Sequence, residues 1–140
     1  MNTRGILLVA LLICGPSYVE AASWKRADVY YLPWELEVRA RLSPERVRAL
    51  ASVNPPLRST YRVYRVSGDR FTHLVQVLDL SRLHKADGRP EDARLVVDFV
   101  GDSGRQTTYY ASRFNLCTPD SLKKRPIDNA FRDYFRDLHL

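Results

Sequence analysis

The chain has 140 residues and a formal net charge of +6, so its length suits one compact domain. Its arginines are scattered singly among acids, and no helix-turn-helix, zinc-finger or RNA-recognition motif accompanies them. These features argue against nucleic acid as a partner. They are consistent with an acidic partner, which we expect to be a protein, with an anionic envelope polymer as the alternative.

The first 21 residues have the pattern of a cleaved secretory signal peptide. Arg4 gives a positive start, a short apolar run follows, and small residues precede a cleavage site after Ala21. The apolar run is about half of the ~20 residues that span a bilayer, so we expect no permanent membrane anchor. The alternative is a lipoprotein signal with Cys14 as the lipidated residue, but the bulky Ile13 before it disfavours lipidation. The sequence thus predicts a single globular domain over residues 22–140 that is periplasmic or secreted.

The first part of the chain is predicted to contain a tether, a strand and a short helix, with the strand ending and the helix beginning around Ser43. Residues 24–28 are predicted to be a tether, and the β-prone residues that follow are interrupted by Pro33. From Trp34 to Leu42, apolar and charged residues alternate strictly, which predicts a half-buried strand. Ser43 then suits an N-cap and is followed by proline, so a short helix is expected over residues 44–52.

Two hairpins are predicted in the middle of the chain. Residues 60–66 and 70–80 flank a turn at 67–69, and the second of these segments is apolar enough for a central strand. A polar loop is expected over residues 81–92. The second hairpin pairs residues 93–100 with 105–113 across a glycine-containing turn.

The chain is predicted to close with an amphipathic helix after an irregular segment at residues 114–125. Pro126 suits the first helical position, and the apolar stripe has helical spacing: Ile127, Ala130, Phe131, Tyr134, Phe135 and Leu138. The predicted fold class is therefore α+β, an antiparallel sheet of about five strands in the order strand, helix, four strands, helix, with the helices on one face. This order up to the last strand is similar to that of cystatin-like folds, but the glutamine-valine-glycine loop of those inhibitors is missing.

No recognisable catalytic set occurs, and neither a metal site nor a cofactor motif is predicted. The histidines are not spaced as metal ligands. Cys117, the only cysteine after the predicted cleavage, is expected to be a buried, inert residue, with an intermolecular disulfide as the alternative. His73, Asp79 and Asp98 are candidates for a ligand pocket or an acid–base role, although each suits an ordinary strand position.

Tyrosines and arginines on the predicted strands suggest a protein-binding surface. Both residue types are common anchors of interfaces, although ordinary sheet packing explains the tyrosines equally well. The candidate partner-binding residues are Trp34, Arg62, Tyr64, Arg65 and Tyr110. The sequence therefore favours a small exported non-catalytic protein-binding domain, such as an enzyme inhibitor or a toxin-neutralising immunity protein. The alternative is a small secreted enzyme or ligand-binding domain with a pocket between sheet and helices.

Overall fold

The structure, a computed structural model, describes residues 24–138, and the predicted signal peptide lies outside this range. It is α+β, with one antiparallel sheet of seven strands in the order β2-β1-β4-β5-β6-β7-β3. The strands are β1 (Trp24–Tyr31), β2 (Arg62–Ser67), β3 (His84–Lys85), β4 (Leu95–Gly101), β5 (Gln106–Ala111), β6 (Asn115–Cys117) and β7 (Lys123–Pro126). The helices are α1 (Pro44–Ala51), α2 (Gly68–Leu78) and α3 (Asn129–Arg136), and a 3₁₀ turn covers Leu80–Arg82.

Helices cover both faces of the sheet, so the prediction that they share one face is wrong. One core, the α2/α3 core, joins the two later helices to alternate strand residues such as Val29 and Val97. The other, the α1 core, joins Val47 of α1 to residues of the opposite parity, such as Val96 and Tyr110. Successive strand side chains point to opposite faces, and here both faces are apolar. This accounts for β4, in which Leu95 to Val100 are all buried.

The strand predicted over Trp34–Leu42 does not form. The segment has no strand pairing, and its alternating residues do not share a face: Trp34 belongs to the α2/α3 core, whereas Leu42 belongs to the α1 core. Val38, midway between them, is 39% exposed. The segment is instead a connection that crosses from one face of the sheet to the other. Residues 24–28, predicted to be a tether, belong to β1, which is an interior strand between β2 and β4.

The predicted strand at residues 70–80 is a helix, and the first predicted hairpin is therefore wrong. α2 buries Phe71, Leu74 and Leu78, which follow a helical spacing, against the sheet. Gly68, expected at a hairpin turn, is the first residue of α2 and has φ +59°. With this strand replaced by a helix, the likeness in element order to cystatin-like folds is lost.

The second predicted hairpin is confirmed. β4 and β5 pair antiparallel, with Leu95 opposite Ala111 and Val100 opposite Gln106. The segment after it, predicted to be irregular, adds β6 and β7 to the sheet, and the polar loop before it contributes the short edge strand β3. Two predicted strands, at residues 34–42 and 70–80, do not form, and β1, β3, β6 and β7 are added, so the sheet has seven strands and not the five predicted.

The two predicted amphipathic helices are confirmed, with small differences at their ends. In α1, the hydroxyl of Ser43 accepts from the backbone N–H of Arg46, and Pro44 is the first helical residue. α3 begins at Asn129 because Asp128 is its N-cap and accepts from the N–H of Phe131 at 2.8 Å. Within residues 24–138, no helix combines the length and apolar character needed to cross a bilayer.

Candidate functional site

Three of the five predicted partner-binding residues are buried. Trp34, Tyr64 and Tyr110 are 3%, 5% and 1% exposed. The Trp34 indole donates to the carbonyl of Arg132 at 3.0 Å, and the Tyr64 hydroxyl accepts from Arg62 at 2.9 Å. Their rings are part of the cores and offer no surface to a partner in this conformation. The suggestion that Tyr64 and Tyr110 form an exposed surface is therefore wrong, because helices cover both sheet faces.

The two predicted arginines, Arg62 and Arg65, lie on β2, which is an edge strand of the sheet. The Arg65 side chain is 67% exposed and pairs with Asp28 on β1 at 3.1 Å. Val63 between them is 45% exposed. Because Tyr64 and Val66 face the α2/α3 core, Val63 and Arg65 face the other side, where α1 packs on the neighbouring strands β1 and β4.

The three residues considered for a pocket or acid–base role are not brought together. Asp98 accepts a bidentate pair of hydrogen bonds from Arg48, both at 2.8 Å, on the α1 side of the sheet. Asp79 ends α2 in a left-handed conformation and accepts from Ser81. His73 is exposed on α2, with its ring 5.2 Å from that of Tyr134. Asp79 and Asp98 each have a structural explanation, whereas His73 lines a cleft of about 460 Å³ between α2 and the C-terminal end of the described chain. Within residues 24–138, no three His, Cys, Asp or Glu side chains gather closely enough to hold a metal ion.

Cys117 is fully buried, as expected for a structural residue. It belongs to the α1 core, and burial, with the charge of Glu91 nearby, raises the pKa of its thiol to about 12. A thiol that stays protonated is a poor nucleophile. The buried position also leaves the sulfur no access to a second chain for an intermolecular disulfide.

The best-built polar feature is a cleft of about 470 Å³ at the end of the β4–β5 hairpin. Three chain segments line it: residues 37–38 of the crossing connection, residues 91–94 before β4, and residues 112–114 after β5. Glu91 and Ser112 form one side, and Phe114, with 71% of its surface exposed, is at the rim.

Glu91 is the centre of a hydrogen-bonded network beside the cleft. Its carboxylate accepts from Ser112 Oγ at 2.6 Å, from Lys124 Nζ at 2.8 Å and from Asn115 Nδ2. Its backbone N–H donates to the hydroxyl of Tyr110. Burial opposes ionisation of Glu91, but these partners outweigh it and hold the pKa of the carboxyl below its usual range. The carboxyl of Glu91 is thus ionised, and the ammonium group of Lys124 compensates its charge.

Arg94 and Arg113 form the other side of the cleft and meet at one carbonyl. Arg94 Nη2 donates to the oxygen of Leu36 at 2.7 Å, and Arg113 Nη2 donates to the same oxygen at 2.8 Å. Arg94 is 1% exposed and also pairs with Asp92 at 2.8 Å. Burial opposes ionisation of Asp92, yet Arg94 and the backbone N–H of Leu42 lower the pKa of its carboxyl. The Nε atoms of both arginines are buried and have no hydrogen-bond partner.

Sequence reasoning missed this cleft because its segments come together only through the crossing connection. Arg94 and Arg113 were predicted to lie at the outer ends of one hairpin, which does place them close together. The predicted proximity of these two arginines was the one sequence feature that pointed to the cleft. Because Glu37 and Val38 were assigned to a strand, their segment was not expected to line a cleft with the ends of the hairpin.

No family model, no curated protein and no solved structure matches this chain.

Proposed function

We propose that the protein is an exported, non-catalytic domain that binds another protein, and that the partner pairs with the free edge of β2. The single observation that supports this is the edge itself. β2 has six residues without a proline or glycine, and in the described part of the chain it pairs only with β1. Such an edge presents unpaired backbone N–H and C=O groups that an extended segment of another protein can pair with.

The charges along this edge favour an acidic partner. Arg62 and Arg65 lie on β2, and the exposed Arg58 precedes it. Two copies of this edge would bring arginines together, so their repulsion disfavours self-association. An extended segment with acidic side chains would meet them favourably, and Val63, 45% exposed, offers an apolar contact on the same face as Arg65. A partner held in this way can be occluded, which is how an inhibitor or an immunity protein acts.

Export is supported by the sequence of residues 1–21, which has the charge, apolar run and small residues of a cleaved signal peptide. An exported protein would meet its partner in the periplasm or outside the cell. The second candidate, a small ligand-binding domain, is favoured by one observation, the polar cleft at the end of the β4–β5 hairpin.

Affinity capture from the exported fraction of the native host tests the proposal. Three baits are compared: the wild-type protein, a charge-reversed edge variant (Arg62→Glu with Arg65→Glu), and a control variant with Arg39→Glu and Arg46→Glu. Arg39 and Arg46 are exposed and lie outside β2. We expect one stoichiometric protein that the wild type and the control retain and the edge variant loses.

Hydrogen exchange on the purified complex then identifies the mode of binding. A paired edge should slow exchange of the β2 backbone amides, because their free N–H groups gain partners. A partner that binds the edge variant as tightly as the wild type, or that leaves the β2 amides unprotected, would overturn the proposal. So would the absence of any partner that survives moderate salt.

A further inference from the structure

The cleft contains one arginine, Arg113, that makes no direct ion pair in the described residues, although its charge contributes to lowering the pKa of the nearby Asp92. Arg94 pairs with Asp92, but Arg113 makes no ion pair with any carboxylate of the described residues. Its one side-chain hydrogen bond is the bond from Nη2 to Leu36, and its Nε is buried without an acceptor. An incoming acceptor would bind at Nη1, which has no hydrogen-bond partner in the described residues and, unlike Nε, is not a buried atom. Arg113 therefore marks a place for an anionic group.

None of the acids that line the cleft makes an ion pair with Arg113 in the described residues. Glu91 is satisfied by Lys124, Ser112 and Asn115, and Asp92 by Arg94. The remaining acid of the lining, Glu37, is exposed and has no hydrogen bond or ion pair within residues 24–138. The cleft thus offers one arginine and one carboxylate, Arg113 and Glu37, that make no ion pair in the described residues.

The rim of the cleft is apolar. Phe114 is 71% exposed, more than any other large hydrophobic residue in the described chain, and Val38 is 39% exposed. Both line the same cleft as Arg113. Exposed apolar side chains beside a few convergent polar groups are the usual composition of a ligand site. A ligand that used all of these groups would carry a carboxylate next to an apolar substituent.

We propose that this cleft binds a carboxylate that carries an apolar substituent, as in a free apolar amino acid or the C-terminal residue of a peptide. The carboxylate accepts from the guanidinium of Arg113, and the apolar group packs against Phe114 and Val38. Arginine suits this role because its planar fork can donate two parallel hydrogen bonds to one carboxylate. In a free amino acid the ammonium group would pair with Glu37. The site shares no residue with the edge of β2, so it stands apart from the proposed protein-binding function.

A titration monitored by ¹H–¹⁵N NMR tests the proposal on the unmodified protein. The probes are phenylalanine, N-acetylphenylalanine and phenylalaninamide, which separate the roles of the carboxylate and the ammonium group. We expect the carboxylates to bind with a Kd in about the millimolar range and to shift the Nε–H signal of Arg113. The amide should bind about tenfold or more weakly, since it lacks the charged acceptor.

The same titration distinguishes the two sources of the ligand. Tighter binding of phenylalanine than of its N-acetyl derivative indicates a free amino acid and a role for Glu37. Equal or tighter binding of the N-acetyl derivative indicates the end of a peptide. Equal binding of phenylalaninamide and phenylalanine, or no shift at Arg113 with any probe, would overturn the proposal.

Variants provide an independent check. Arg113→Gln should weaken carboxylate binding about tenfold, whereas Arg58→Gln, an equal charge change at an exposed residue outside the cleft, should not. Because Arg113 also holds Leu36, Phe114→Ala is a second variant whose exposed ring contributes little to folding. We expect it to weaken binding several-fold with an unchanged NMR spectrum outside the cleft. Wild-type affinity in both cleft variants would contradict the assignment.

Discussion

Glu91 supports the wall of the cleft, and its replacement by glutamine is expected to cost stability. The carboxylate holds Ser112, Asn115 and Lys124, with contacts of 2.6 Å to Ser112 and 2.8 Å to Lys124. The side chains of Glu91 and Lys124 are only 19% and 14% exposed, so water replaces a lost contact poorly. Glu91→Gln preserves the shape of the side chain but removes its charge. It also places an amide N–H₂ group opposite one of the groups that now donate to Glu91. A hydrogen bond to a charged group contributes about 1.5–3 kcal/mol, and we expect the free energy of unfolding to fall by about 2–3 kcal/mol at neutral pH.

The loss should depend on pH. Burial opposes ionisation of Glu91, but the bonds from Lys124, Ser112 and Asn115 hold the pKa of the folded carboxyl below its usual value of 4.5. The native state therefore binds this proton less tightly than the unfolded chain does. The contribution of Glu91 to stability is fully present above the unfolded pKa and is lost as the pH falls through the lower folded pKa. The difference between wild type and Glu91→Gln should shrink accordingly in acid.

Urea unfolding followed by tryptophan fluorescence measures both effects, at neutral pH and at about pH 3. The control is Glu37→Gln, which removes the same charge from a side chain without a partner in the described residues and should change the free energy of unfolding by no more than about 0.5 kcal/mol. A loss below about 0.5 kcal/mol for Glu91→Gln, or an equal loss at both pH values, would refute the account of this network.

Further predictions concern the core, a helix end and the N-terminus. Arg125 is 4% exposed and donates to two carbonyls at the end of α2 and to a third carbonyl on its own strand. Arg125→Met should therefore lower the free energy of unfolding, measured in urea, by about 3 kcal/mol. Arg125→Lys should recover part of this loss. Cys117 should not react with a thiol reagent in the native protein, since it is buried and the pKa of its thiol is about 12; rapid labelling of the native state would contradict its burial. Asp128→Ala removes the N-cap of α3 and should cost about 1 kcal/mol by thermal unfolding, whereas Asp128→Asn should cost little. The intact mass of the exported protein should correspond to a chain that begins at Ala22, and an uncut chain would contradict the predicted signal peptide.

The cleft illustrates what sequence reasoning could reach. The β4–β5 hairpin was predictable, because its strands and its glycine-containing turn agree, and it places Arg94 near Arg113. That Arg113 makes no direct ion pair within residues 24–138 was not predictable, since it depends on which acids the neighbouring segments bring close. The pairing of β6 with β7 positions Lys124, whose Nζ lies 2.8 Å from the Glu91 carboxylate, and both of these strands lie in a segment that looks irregular in sequence.

The sequence by itself determined the α+β class, the capped helix α1, the β4–β5 hairpin and the amphipathic helix α3, because local spacing and end residues agree in each of these elements. Only the tertiary structure decided between helix and strand for residues 70–78, where an apolar run satisfies both patterns until Phe71, Leu74 and Leu78 dock on the sheet. It also decided that Trp34 and Leu42 enter different cores, so that an alternating segment became a connection. Local pattern shows that a residue needs burial, but the packed partner determines the face on which it is buried.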